Sequence, residues 1–284
     1  MSGFYAHDIK DREIEGIQKT ATITQDGNQW YVSICCELNI KEKIKRMDNI
    51  VGIDVGIKEF ATLSDGTKIN NPQTLNKHIE KLKKEQKILS RKEFVEKEIK
   101  EEVKNVSSNN RNKQKEKIRK VHRKVRNIRK DFLHKTTHDM ITKYDGIIIE
   151  TLDIKGMLQK NDKNQNRNTC DVSWYEFGRM LEYKCLWNSK HFHKIDKYFA
   201  SSQICSGCGN KQKMPIEQRT YNCKSCGTKL DRDYNASLNI KREGIKNLNT
   251  NTVGTMGIHA CGHSSIEEWT KQEKRELSQA ALAV

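Results

Sequence analysis

The sequence has no apolar run of the roughly 18 residues that a membrane-spanning helix requires. It has no early apolar stretch of signal-peptide character either. Its basic segments lack the Trp- and Phe-rich apolar face of an interfacial helix, which argues against a membrane as partner. No internal repeat is visible beyond two cysteine pairs. Without an export signal, the nine cysteines are expected in a reducing cytoplasm, which favours metal thiolates over disulfides.

What the chain has in excess is positive charge. Its 284 residues carry a formal net charge of +16, so the expected partner is a polyanion, with nucleic acid first among candidates. The charge is concentrated. Residues 111–135 hold twelve Lys or Arg against two acids, Glu116 and Asp131, for a net +10. Within that segment Ile118, Val121, Val125, Ile128 and Phe132 recur at helical spacing, which predicts one apolar stripe on a basic helix. An earlier stretch with Ile79, Leu82 and Leu89 predicts a second helix, and the polar run 106–110 predicts the loop between them. Residues 75–142 thus read as a helical hairpin with one basic arm. Arg119, Arg123, Arg126 and Lys130 are the expected phosphate contacts. The plain alternative is a solvated charged face.

Residues 18–40 alternate and turn at Asp26-Gly27, as in a β-hairpin. Residues 49–70 give three short strands, with a further turn at Asp65-Gly66. The continuous apolar run from Gly146 to Glu150 suits a strand buried on both faces. A polar loop at 159–170, a helix over 173–189, a strand around 193–199 and a helix from Asp233 are expected to follow. The tail from about 247 is polar, with a helix conceivable only over 266–282. Three leading strands, a helical segment, a strand, a helix, a strand and a last helix make an RNase H-like α/β layout.

Cys205/Cys208 and Cys223/Cys226 are two Cys-x-x-Cys pairs with fourteen residues between them. Four such thiolates suit a tetrahedral structural Zn²⁺. Gly209 and Gly227 each follow a pair, as turns beneath the metal in a zinc ribbon require. Cys35, Cys36, Cys170, Cys185 and Cys261 have no partner at ligand spacing.

Asp54 and Glu150 end apolar strands, and Asp233 opens the helix after the ribbon. A carboxylate so placed costs several kcal/mol unless it is paired or binds metal. The three are expected to converge on Mg²⁺ or Mn²⁺, the arrangement that phosphodiester hydrolysis uses. Asp54 as a strand-end turn former and Asp233 as a helix N-cap are the plain alternatives.

The stretches Gly52-Ile53-Asp54-Val55-Gly56, Ile148-Ile149-Glu150-Thr151-Leu152, 201–209 and 231–240 together resemble TnpB, the OrfB protein of bacterial insertion sequences. That family, long described as transposases, is related to the type V CRISPR nucleases. The strings at 129–135 and 181–184 fit it too, and the resemblance covers roughly 18–262. It implies an RNA-guided, RuvC-like DNA endonuclease with catalytic acids at Asp54, Glu150 and Asp233, Asp231 competing for the third place. It implies DNA and guide RNA as partners. Residues 1–48 would be the end of a wedge β-domain, 49–200 the nuclease core, 201–230 the ribbon, 231–246 the final core segment and 247–284 a flexible tail. Only about fifty residues precede Asp54, so most of the family's recognition and wedge region is expected to be missing, leaving a truncated form. A non-catalytic nucleic-acid-binding module and a strand-joining transposase are the competing functions.

Overall fold

Residues 14, 16–27, 29–37, 48–99, 109–160, 162–215 and 217–250 are described by the computed structural model. They fall into two units, within Met1–Lys43 and Ile44–Val284. In the first, β1 (Ile17–Asp26) and β2 (Gln29–Glu37) pair antiparallel around Gly27, whose φ of +64° suits a glycine turn. Apolar side chains of this hairpin, among them Ile23, Trp30 and Val32, are exposed.

The second unit is built on a five-stranded sheet. β3 (Ile50–Val55), β4 (Glu59–Leu63) and β5 (Lys68–Asn70) run antiparallel in succession. The β4–β5 turn closes where the Thr67 amide donates to Asp65 Oδ1 at 2.9 Å. Two long helices follow, α1 (Thr74–Ile99) and α2 (Asn109–Lys143). Then come β6 (Gly146–Ile149), α3 (Ile154–Lys160), α4 (Lys163–Val172), α5 (Trp174–Trp187) and β7 (His191–Lys194). A 3-10 turn (Ser201–Gln203), the short hairpin β8 (Thr220–Asn222) and β9 (Lys229–Asp231), and α6 (Arg232–Thr250) complete the described chain. The sheet order is β5-β4-β3-β6-β7, with β3, β6 and β7 parallel.

The two faces of β6 explain its unbroken apolar run. Ile147 and Ile149 join the core that β3, β4, α2 and α5 share, where Phe60 meets Phe132 and Phe177 edge-to-face at 4.9 Å. Ile148 points the other way and packs with Ile195 and Ile240 under α6. That helix lies very close to the sheet. A Cβ at Gly52 would overlap the backbone of Ser237 and Lys241, and one at Gly244 would overlap Ile148. Glycine is required at both places for α6 to dock.

Several expectations are corrected. Asn109 and Asn110, read as loop, start α2, while 100–108 lie outside the described residues. The predicted polar loop at 159–170 is largely helical. Asp162 caps α4, its carboxylate accepting from the Gln165 amide at 2.7 Å, so the Asn-rich run continues as helix. β7 ends at Lys194, short of Phe199. In the stripe on α2, Val121 and Val125 are buried but Ile128 is 38% exposed, because the buried face shifts to Leu133, Thr137, Met140 and Ile141. The helix considered for 266–282 lies outside the described residues. No helix among the described residues is long and apolar enough to cross a membrane.

Candidate functional site

The parallel register sets Ile53 beside Ile149, so the next residues, Asp54 and Glu150, emerge together at the carboxyl ends of adjacent strands. Glu150 Oε1 accepts from the Val55 amide at 3.3 Å, and its carboxylate also hydrogen-bonds Asp54. Burial, then the charges of Glu150 and Asp233, hold Asp54 well above the ordinary carboxylate range, with Arg232 pulling the other way. Burial likewise pushes Glu150 up to about 7, against the hydrogen bonds from Val55 and Asp54, and Asp233 adds to the rise. Asp233 reaches this pair from the first turn of α6. The structure therefore brings the three acids into one electrostatic cluster.

Asp231 does something else. Its Oδ1 accepts from the amides of Asp233 and Tyr234, both at 3.0 Å, which is the N-cap of α6. Its Oδ2 pairs with Lys68 at 3.0 Å. Burial alone would raise its pKa, but Lys68 and the capped amides lower it. The capping role considered for Asp233 thus falls on Asp231, leaving the Asp233 carboxylate for other partners. Those are Arg232 at 3.0 Å and Arg219 at 3.8 Å.

The four cysteines form a tighter group. Their Sγ atoms lie within 4.8 Å of one another, the one such metal-competent cluster among the described residues. The Cys205–Cys226 and Cys208–Cys223 sulfurs are 3.6 Å apart. Four thiolates at about 2.3 Å from a tetrahedral Zn²⁺ would be separated by about 3.8 Å, so the donor set fits the ion. Each pair closes a turn of the same design. Gly209 N donates to Cys205 O at 2.9 Å and Gly227 N to Cys223 O at 3.0 Å, with φ of +78° and +74°.

Sequence reasoning missed how the ribbon is fastened to α6. Asn235 Nδ2 donates to Ile204 O at 2.8 Å, and Asn239 Nδ2 to Ser201 O at 2.9 Å. Arg242 donates to the Ser206 carbonyl. Residues 235, 239 and 242 share one helix face, a polar i, i+4, i+7 pattern that was legible beside the Cys pairs.

On the basic arm, Arg119, Arg126 and Lys130 are exposed, whereas Arg123 is partly buried and lies 3.8 Å from Glu116. Glu116 also lies 3.7 Å from Arg119. The base of the arm is anchored by Asp171, which accepts from Arg129 at 2.6 Å and from the Leu75 amide at 2.9 Å.

The described residues thus hold a four-cysteine cluster that could bind a metal ion, and three acids at strand and helix ends of a mixed α/β unit. Residues 33–161 match the OrfB_IS605 family model, described as "Probable transposase", and residues 174–240 match the Cas12f1-like TNB domain. A Streptomyces pristinaespiralis protein named "Putative RNA-guided DNA endonuclease" is 36% identical over 80% of this chain and 53% of its own length. Escherichia coli (strain K12) InsQ, which bears the same designation, is 32% identical over 95% of this chain and 65% of its own. A structure of the CRISPR-Cas12f ternary complex aligns at TM-score 0.48 and 19% identity over 78% of this chain and 44% of that one, too distant to carry an argument. The chain carries an OrfB_IS605 segment and a Cas12f1-like TNB segment, and it spans between half and two thirds of the length of these curated relatives.

Proposed function

We propose that this chain carries the nuclease part of a TnpB-type, RNA-guided DNA endonuclease, with an RNase H-like (RuvC) core and a zinc ribbon. The observation that supports the reading is that Asp54 and Glu150 hydrogen-bond each other at adjacent strand ends while the charge of Asp233 reaches both. Two half-buried carboxylates that hydrogen-bond each other, with a third charge nearby, resist ionisation, and a divalent cation relieves that resistance. Asp54, Glu150 and Asp233 would hold Mg²⁺ or Mn²⁺. Such ions supply an activated water and charge neutralisation at the scissile phosphate. The strand order, antiparallel for three strands and then parallel for two, supports the RNase H-like assignment.

The chain's own residues divide the remaining work. Arg232 and Arg219 pair with Asp233, whose charge nonetheless reaches Asp54 and Glu150 and raises both. The exposed cations of α2 bind phosphates without reading sequence. Cys205, Cys208, Cys223 and Cys226 would hold Zn²⁺ for folding, since four thiolates leave no open coordination position. Guide RNA and target DNA are the proposed partners, after the names of the relatives.

The test is cleavage of single-stranded and guide-matched plasmid DNA with Mg²⁺ or Mn²⁺, by the parent and by Asp54→Ala. Loss of cleavage with nearly intact DNA affinity supports the reading, because removing an acid does not weaken phosphate attraction. Equal cleavage by the two proteins sinks it. A bind-only module remains as the second reading, favoured by the charge of α2, and an inert parent that still binds DNA would select it.

A further inference from the structure

The outer side of α5 carries side chains that the acid cluster does not use, and of these only Tyr183 also packs against the core. Tyr175, Arg179, Tyr183 and Trp187 recur every four residues and so lie along one ridge of the helix. The inner side is committed, since Phe177, Met180 and Leu181 fill the core. Tyr175 is 49% and Trp187 57% exposed. The Tyr183 and Trp187 rings lie 4.7 Å apart at 59°, and the Arg179 guanidinium is 5.5 Å from the Tyr183 centroid. Glu176 fixes that guanidinium through two hydrogen bonds of 2.7 and 2.8 Å. Single exposed aromatics are ordinary. Two of them on one ridge, with the half-buried ring of Tyr183 and a clamped arginine between, are not.

The ridge adjoins the basic arm. Lys184 of α5 donates to His134 O at 2.9 Å and to Thr137 Oγ1 at 2.7 Å, locking the two helices together. Burial, Lys184 and Lys130 lower the pKa of His134, and the charges of Glu176 and Arg179 also reach it. Phosphate-binding cations and flat exposed rings therefore stand side by side within one unit.

We propose that this ridge is a stacking platform for the unpaired bases of a nucleic-acid strand whose phosphates lie along the basic face of α2. The inference rests on the nucleic-acid-binding reading above and adds the form of the ligand. Every base has a π-face, so aromatic platforms grip single strands with little sequence preference, and an arginine plane adds to the stack. Bases inside a duplex have no free face to offer. At 1.5 Å per residue the ridge runs about 18 Å, enough for several nucleotides.

The experiment uses the full chain, with labelled oligo-dT, oligo-U and duplex DNA of equal length as probes, titrated across a salt series. Trp187→Ser and Tyr183→Ser are expected to weaken single-strand binding roughly fivefold or more. Duplex affinity and the salt slope should stay at the parental values, and Trp187→Phe should recover most of the loss. A loss confined to oligo-dT names DNA as the occupant, and one confined to oligo-U names RNA. Either result supports the platform. Parental binding with unaffected Ser variants overturns the platform alone, as does an equal loss on duplex. Ser variants that lose only self-association assign the ridge to a second copy of this chain, which also overturns it. A parent that binds none of the probes overturns the nucleic-acid reading and the platform together.

Discussion

The backbone amide of Ser206, inside the first cysteine turn, donates to Oδ1 of Asn235 on α6 at 2.9 Å. Asn235 is fully buried, and it sits two residues beyond Asp233. The first cysteine turn is therefore bonded to the turn of helix that carries Asp233. Asn235→Ala would leave the Ser206 amide buried without a partner, at about 1–3 kcal/mol, and would leave the Ile204 carbonyl with Asn239 Nδ2 as its remaining donor. Thermal unfolding should show the lower midpoint, and Mn²⁺ titration should show weaker binding at the acids. An unchanged midpoint would refute the coupling.

Elemental analysis of the purified chain is expected to find about one zinc, the complement of a single four-thiolate site. Cys223→Ser should remove the metal and loosen the residues around the fully buried Tyr221, whose hydroxyl donates to Gln203 O at 3.2 Å. A well-folded, zinc-free parent would contradict this.

The acids give a pH dependence with a defined sign. Glu150 titrates near 7 in the folded protein against an ordinary 4.5, so folding binds its proton more tightly. The stability this confers is complete below about pH 4.5 and is lost as the pH rises to about 7. Melting without added Mg²⁺ should therefore fall across that window. Added Mg²⁺ should restore it mainly at the upper end, where the ligands are ionised. Glu150→Gln should flatten both effects, and a slope unchanged by that substitution would refute the assignment.

Gly52→Ala should destabilise by at least about 2 kcal/mol, because the added methyl meets helix backbone rather than a side chain that could turn aside. Denaturant unfolding measures it. A neutral result would mean that α6 does not sit where it is described.

The arm's cations should not behave alike. Neutralising Arg119, Arg126 and Lys130 is expected to lower the log–log salt slope of DNA binding by up to about one unit each. Arg123→Gln, at a partly buried position beside Glu116, should cost stability more than slope. Equal slope changes at all four would refute the distinction.

How much of this was legible follows from the range of each interaction. The Asp-Gly turns, the two-faced strand at 146–149 and the paired glycines of the ribbon depend on neighbours in sequence, and periodicity reads them. Asn109, Asn110 and the 162–172 helix were misread because Asn favours turns in isolation, while capping and packing decide otherwise. Ile128 keeps the helical period yet faces out, since the buried face of α2 is set by where α5 and the sheet lie. Asp231 and Asp233 differ by two residues, and only the family resemblance favours Asp233 as the third acid. That Asp231 is the one that caps α6 follows from the backbone path into the helix, which no local sequence pattern reads.

The acids are also far apart in time. Val55 and its partner Glu150 are separated by 95 residues, and Asp233 follows only after the ribbon. Chains are made from the N-terminus at about 5–20 residues per second, so the nascent polypeptide spends seconds with one acid exposed, then two. The helix that fills the notch at Gly52 is the last described element to leave the ribosome. The cationic arm emerges near the midpoint. Translation thus completes the surface assigned to gripping nucleic acid well before it completes the cluster assigned to cutting.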